Sequence, residues 1–83
     1  MSRQTSLSGR FRILNNEMLQ KKATCTDDPR HVFYKAMLSS ATYDEYLAQV
    51  GSVVVQPETT SYAVSGLMEI RYCRDLRRWI ADG

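Results

Sequence analysis

Four arginines crowd the C-terminal end of this chain: Arg71, Arg74, Arg77 and Arg78. Laid on an α-helix, residues 67–80 separate into two faces. Met68, Tyr72, Cys73, Leu76, Trp79 and Ile80 recur at three- and four-residue spacing as an apolar stripe, with Arg71, Arg74 and Arg78 opposite and Arg77 at the edge. The expectation is that the apolar side, Trp79 included, seals the core and leaves the guanidinium groups outward. Guanidinium forks hold phosphate or carboxylate oxygens two at a time, and Arg10 and Arg12 near the other end would share that work. Two features weigh against nucleic acid. Asp75 lies one turn from both Arg71 and Arg78 and partly neutralises them. The net charge of +2 is also low for a chain that neutralises many phosphates.

Other residue types that do chemistry are scattered. His31 is the only histidine, and it falls near Asp27 and Asp28 in sequence. An Asp–His pair can act as a general base, but no nucleophile stands in a recognisable relation to it. Cys25 and Cys73 are far apart and form no CxxC pair, so with His31 they do not make a zinc set. Cys73 reads as core filler and Cys25 as an exposed loop thiol. The glycines are isolated, which excludes the known phosphate-cradling loops. Asp27-Asp28 and Asp44-Glu45 read as helix-start charges rather than cation ligands. No catalytic, cofactor or metal constellation is therefore expected. Five Tyr, two Phe and one Trp could offer stacking platforms for bases, but Tyr43, Tyr46, Tyr72 and Trp79 fall on apolar helical stripes and read more simply as packing.

Eighty-three residues suffice for one domain, which buries only roughly 60% of the surface its unfolded chain exposes. Self-association is a natural remedy for so small a core. With 43% hydrophobic and 24% charged residues the chain is too apolar for general disorder. Its charge is uneven: +4 over residues 1–22, −3 over 23–66 and +1 over 67–83. Basic ends around an acidic middle suit an anionic partner or a second copy equally. No leader-like start and no run approaching the roughly 20 apolar residues of a membrane span is evident. The expectation is a cytoplasmic protein with reduced thiols and no membrane partner.

These side chains must be positioned by short elements. Residues 1–9 read as a flexible tail and 10–83 as a single small globular domain. Residues 10–14 alternate like a strand, while Phe11, Leu14 and Met18 also fit a helix over about 11–22 that Asn15-Asn16 would interrupt; the helix is favoured. Asp28-Pro29 marks a helix start, with Phe33, Ala36 and Met37 on its buried side. Thr42-Tyr-Asp-Glu45 is a capping box, followed by Tyr43, Tyr46, Leu47 and Val50 on one face and Gly51 as the stop. The valines at 53–55 read as extended, with 62–64 able to pair antiparallel to them. Ser65-Gly66 either caps the last helix or turns a hairpin.

The fold expected is mainly α: a helical pair at about 29–50, a short extended or β element at about 53–64, and a C-terminal amphipathic helix. An α+β domain with a hairpin through 61–72 is the alternative. The functional expectation is a small non-enzymatic binding module. It would act through protein–protein or self-association contacts, with a homodimer as one form. The second reading is a DNA- or RNA-binding regulator using the arginine helix. As a helix-turn-helix the pair at 29–50 is a poor reader, because its second helix would lead into DNA with Asp44 and Glu45. The third is a small enzyme centred on His31.

Overall fold

The structure, a computed structural model, describes residues 7–83. Of the tail expected at 1–9, residues 1–6 lie outside the described residues, and Leu7 packs on the core. Asn15 and Asn16 divide the ambiguous stretch into two elements. The alternating residues form strand β1 (Phe11–Ile13), with Phe11 buried and Arg12 exposed. Helix α1 (Asn16–Ala23) then starts on Asn15, whose carboxamide oxygen accepts the Met18 N–H at 3.1 Å. The helix expected from about residue 11 thus begins five residues later, because the short polar side chain caps it there.

Helix α2 (His31–Ser39) begins two residues past the expected start at Pro29. The Asp28 carboxylate accepts the Arg30 N–H at 2.9 Å and the Asp28 carbonyl accepts the His31 N–H at 3.0 Å. Asp28 therefore closes a turn of its own before the helix, as Asx side chains do. Helix α3 (Tyr43–Val50) carries the expected capping box: Thr42 Oγ1 accepts the Glu45 N–H at 3.1 Å, and the Glu45 carboxylate accepts the Thr42 N–H at 3.3 Å. Gly51 stands at its C-cap, but with φ −56°. The stop there is not a left-handed turn.

Strands β2 (Val54–Val55) and β3 (Val64–Ser65) pair antiparallel, Val55 opposite Val64. Ser65 then caps helix α4 (Gly66–Tyr72), its Oγ accepting the Met68 N–H at 3.2 Å. Residues 66–72 are therefore helical, which excludes the hairpin alternative through 61–72. The helix continues as a π-helical turn over Cys73–Arg77 and stops at Arg78, which takes the left-handed conformation at φ 60°. The helical pattern expected through Ile80 ends there. Ile80–Asp82 forms β4 instead, antiparallel to β1 with Ile13 opposite Ile80.

Among the described residues the architecture is four helices with two small antiparallel strand pairs. One cluster holds them: Phe11, Leu19, Phe33, Tyr34, Met37, Tyr43, Tyr46, Val64, Ile70, Cys73 and Ile80 are among its buried members. The buried faces expected for α2 and α3 are the ones that pack, with Leu47 and Val50 at the rim. α4 meets α3 closely at Gly66, where the Tyr46 hydroxyl donates to the Gly66 carbonyl at 2.6 Å. A Cβ at Gly66 would sit 1.9 Å from the Val50 carbonyl oxygen. Backbone, unlike a side-chain tip, cannot swing aside. Gly66→Ala should therefore destabilise the protein by about 3 kcal/mol or more, read as a lowered urea midpoint, whereas Gly9→Ala meets no neighbouring atom and should cost only the roughly 1–2 kcal/mol of holding a side chain at φ 80°.

Candidate functional site

α4 buries a different face from the one its apolar residues suggest. Gly66, Glu69, Ile70 and Cys73 point inward. Met68, Tyr72 and Leu76 stand outward at 49%, 46% and 68% exposure, joined by Tyr62 at 60%. Of the stripe expected to seal the core, only Cys73 and Ile80 are buried, with Trp79 half-buried. The cause is Glu69, only 3% exposed. Leaving such a carboxylate unpaired would cost several kcal/mol, and three groups converge on its Oε2. Tyr34 donates its hydroxyl at 2.7 Å, Cys73 donates its thiol at 3.7 Å, and Arg77 donates an N–H.

Arg77 is thus drawn inward rather than left at the helix edge. Its Nη1 also donates to the Tyr34 hydroxyl at 2.9 Å. Its guanidinium carbon lies 4.6 Å from the ring centres of both Tyr72 and Trp79, so two aromatic faces enclose the cation. Trp79 reaches that position because the chain turns sharply at Arg78, and the π-helical turn before it shifts the register of the last residues. Burial is the largest single effect and pulls the Arg77 pKa down, but the Glu69 charge and the Tyr34 hydrogen bond together outweigh it and hold the group above its ordinary value. Burial, with the Glu69 charge, pushes the Cys73 thiol up to about 12 and raises the Tyr34 phenol.

Arg74 is also engaged at home. Its side chain, 10% exposed, pairs with Asp75 at 2.8 Å and lies 3.7 Å from Asp82. Tyr43 donates its hydroxyl to Asp82, and burial with that bond pushes the phenol up to about 12. Arg71 and Arg78 on the helical segment, and Arg10 and Arg12 beside β1, are exposed. The six arginines therefore do not form one outward face. Arg74 and Arg77 hold the fold, and the exposed ones are divided between the helical segment and β1. The intramolecular ties of Arg74 and Arg77 have no periodic signature, since Asp75 is the next residue to Arg74, Glu69 lies eight residues before Arg77, and Tyr34 and Asp82 are on other elements.

A cleft of about 150 Å³ opens where α4 meets the β2–β3 connection, lined by Arg30, Tyr62, Val64, Met68, Glu69, Tyr72 and Arg77. Its two guanidinium groups are neutralised locally, Arg30 by Asp28 at 2.9 Å and Arg77 by Glu69. Sequence reasoning placed neither Tyr62 nor Met68 at a site. The one available signal was the number of apolar residues in 62–76, more than a single helix face can bury. His31 lies in the first turn of α2 with its Nδ1 2.9 Å from the Asp28 carbonyl oxygen; a carbonyl only accepts, so Nδ1 carries the hydrogen. Both cysteines are free, Cys25 exposed and Cys73 buried. Among the described residues no group of three His, Cys, Asp or Glu side chains could hold a metal ion, and no helix is long and apolar enough to cross a membrane.

No protein-family model matches the chain, and neither does a curated protein or a solved structure.

The raised phenols and thiol give a directional pH dependence. Cys73 and Tyr43 stay protonated in the folded chain up to about pH 12, whereas the unfolded chain releases the same protons near pH 8.5 and 10. Their contribution is complete below those unfolded values and is lost as pH rises through about 12. Urea midpoints should fall from about pH 9 upward and steepen above about pH 10, with a shallower fall in Tyr43→Phe. At neutral pH iodoacetamide should label Cys25 and spare Cys73 until the chain unfolds, as read by mass spectrometry.

Proposed function

We propose that this protein is a small non-enzymatic binding module that docks a protein partner on the outward face of α4. The observation that carries this reading is the exposed row Met68, Tyr72 and Leu76 with Tyr62 beside it, bordering a cleft of about 150 Å³. The size of the cleft decides the class of ligand. Cofactor and drug-like sites run from about 300 Å³ upward, whereas a volume near 150 Å³ takes one apolar group of benzene size. A single aliphatic or aromatic side chain from a protein surface meets that limit. Thioether and phenol side chains around the mouth supply adaptable and rigid contact area respectively.

A cytoplasmic, reducing setting, in which both thiols stay free, belongs to this proposal. The nucleic-acid reading has weaker support: Arg74 and Arg77 serve internal pairs, which leaves fewer cations for phosphate contacts. Titration of the ¹⁵N-labelled protein with N-acetyl-leucinamide at millimolar concentration tests the proposal. Amide shifts should cluster at Val64, Met68 and Tyr72, while a short DNA duplex at low salt should leave the spectrum unchanged. Shifts confined to Arg10, Arg12 and Arg78 on adding duplex, with none from leucinamide, would overturn it in favour of nucleic acid.

A further inference from the structure

Only one of the two Glu69 carboxylate oxygens is used inside the fold. Tyr34, Cys73 and Arg77 all donate to Oε2, and Oε1 accepts from no group among the described residues. No buried side-chain nitrogen or oxygen of the described residues lacks a partner, so Oε1 is within reach of solvent. Glu69 is otherwise almost wholly covered, and the cleft it lines is the opening through which solvent arrives. The same division runs through Arg77: Nη1 makes every hydrogen bond of the side chain, while Nε and Nη2 make none. The cleft therefore presents one acceptor and spare N–H donors of a single ion pair, under walls formed by Tyr62, Val64, Met68 and Tyr72.

We propose that this cleft recognises a tyrosine of the partner protein, whose ring fills it and whose hydroxyl donates to Glu69 Oε1. The inference rests on the reading of this face as a protein-docking surface and names the side chain docked there. Tyr34 shows what the ion pair accepts: from the core side its hydroxyl donates to Oε2 at 2.7 Å and receives Arg77 Nη1 at 2.9 Å. A second phenol meets the same two groups from the cleft side, through the oxygen and the N–H groups that the first leaves unused. Charge excludes ionised guests. Arg30 is matched by Asp28 and Arg77 by Glu69, so a lysine, arginine or carboxylate side chain would bring an unmatched charge into a covered site. Size selects among the neutral donors. A space of about 150 Å³ takes one benzene-sized ring, which an indole exceeds and a hydroxymethyl or carboxamide group leaves part empty. A phenylalanine has the right size but would cut Oε1 off from solvent and give no hydrogen bond in return.

The test varies the guest and leaves the protein intact, because changing Glu69 would also disturb the fold. N-acetyl-tyrosinamide, N-acetyl-phenylalaninamide and N-acetyl-O-methyl-tyrosinamide are titrated in turn into protein labelled with ¹⁵N and with ¹³C in its glutamate carboxyl groups. Tyrosinamide should shift the amides of Val64, Met68 and Tyr72 and bind about tenfold or more tightly than phenylalaninamide, the difference expected for one hydrogen bond to a charged acceptor. The O-methyl compound keeps the oxygen but has no hydrogen to donate, so it should bind no better than phenylalaninamide. The carboxyl resonance of Glu69 should move with tyrosinamide and not with the other two. Equal affinity for all three guests at these amides would overturn the tyrosine preference and leave the docking face standing. An O-methyl compound as tight as tyrosinamide, with the Glu69 carboxyl unmoved, would overturn donation to Oε1. If none of the three, nor leucinamide, shifts these amides, the docking reading falls as well.

Discussion

One buried carboxylate determines how the C-terminal third of this protein is arranged. Glu69 sits on the inward face of α4, where an apolar residue would otherwise be expected, and the chain must bring a cation to it. Arg77 answers from eight residues further on, with Tyr34 contributing from α2 and Cys73 from the turn between. That demand draws an arginine inside and fixes the rotation of the helix. The left-handed residue at Arg78 follows from the same arrangement, since Trp79 has to fold back over the guanidinium. A non-glycine residue in that conformation costs roughly 1–2 kcal/mol, which the enclosed cation and the β1–β4 pairing offset. A buried pair of this kind is weak evidence for stability in itself, and its value here is in setting which face of the helix looks out.

Local chemistry was legible in the sequence where the determinant lies within a few residues. The Thr42–Glu45 capping box, the buried faces of α2 and α3 and the antiparallel pairing near 53–64 all depend on neighbours in the chain, whereas Ser65-Gly66 fitted a helix cap and a hairpin turn equally. The start of α1 was half legible: Asn15-Asn16 was recognised as an interruption, but a strand before it and a helix after it satisfy the same apolar spacing. At the other end, the pairing of β4 with β1 joins residues about 70 positions apart. Short strands with that separation leave no periodic trace of their own.

The face of α4 was misread for a related reason. Counting apolar residues picks the stripe through Met68, Tyr72 and Leu76, and on a lone helix that stripe is the better hydrophobic seal. The choice is reversed by the tertiary partners of Glu69 and by the close approach at Gly66, which admits no side chain toward Val50. Arginine at the edge of a helix is ordinarily a solvated cation, and here the buried Glu69 carboxylate, with Tyr34 on another element, turns it into an internal ligand. The consequence for function is direct. What the sequence presents as a basic surface backed by an apolar seal is, in the fold, an apolar surface backed by an internal ion pair.

The central claim, that Glu69 and Arg77 act as a unit to hold α4 in this orientation, is most directly tested by a double-mutant cycle of urea stabilities for Glu69→Gln, Arg77→Met and the pair together. Each single change leaves a buried polar group without its partner, so each should destabilise by about 3 kcal/mol, and the double variant should lose about 2 kcal/mol less than the two effects added. Additive losses with a coupling near zero would contradict the account, because the two side chains would then be independent and the outward face of α4 would need another cause.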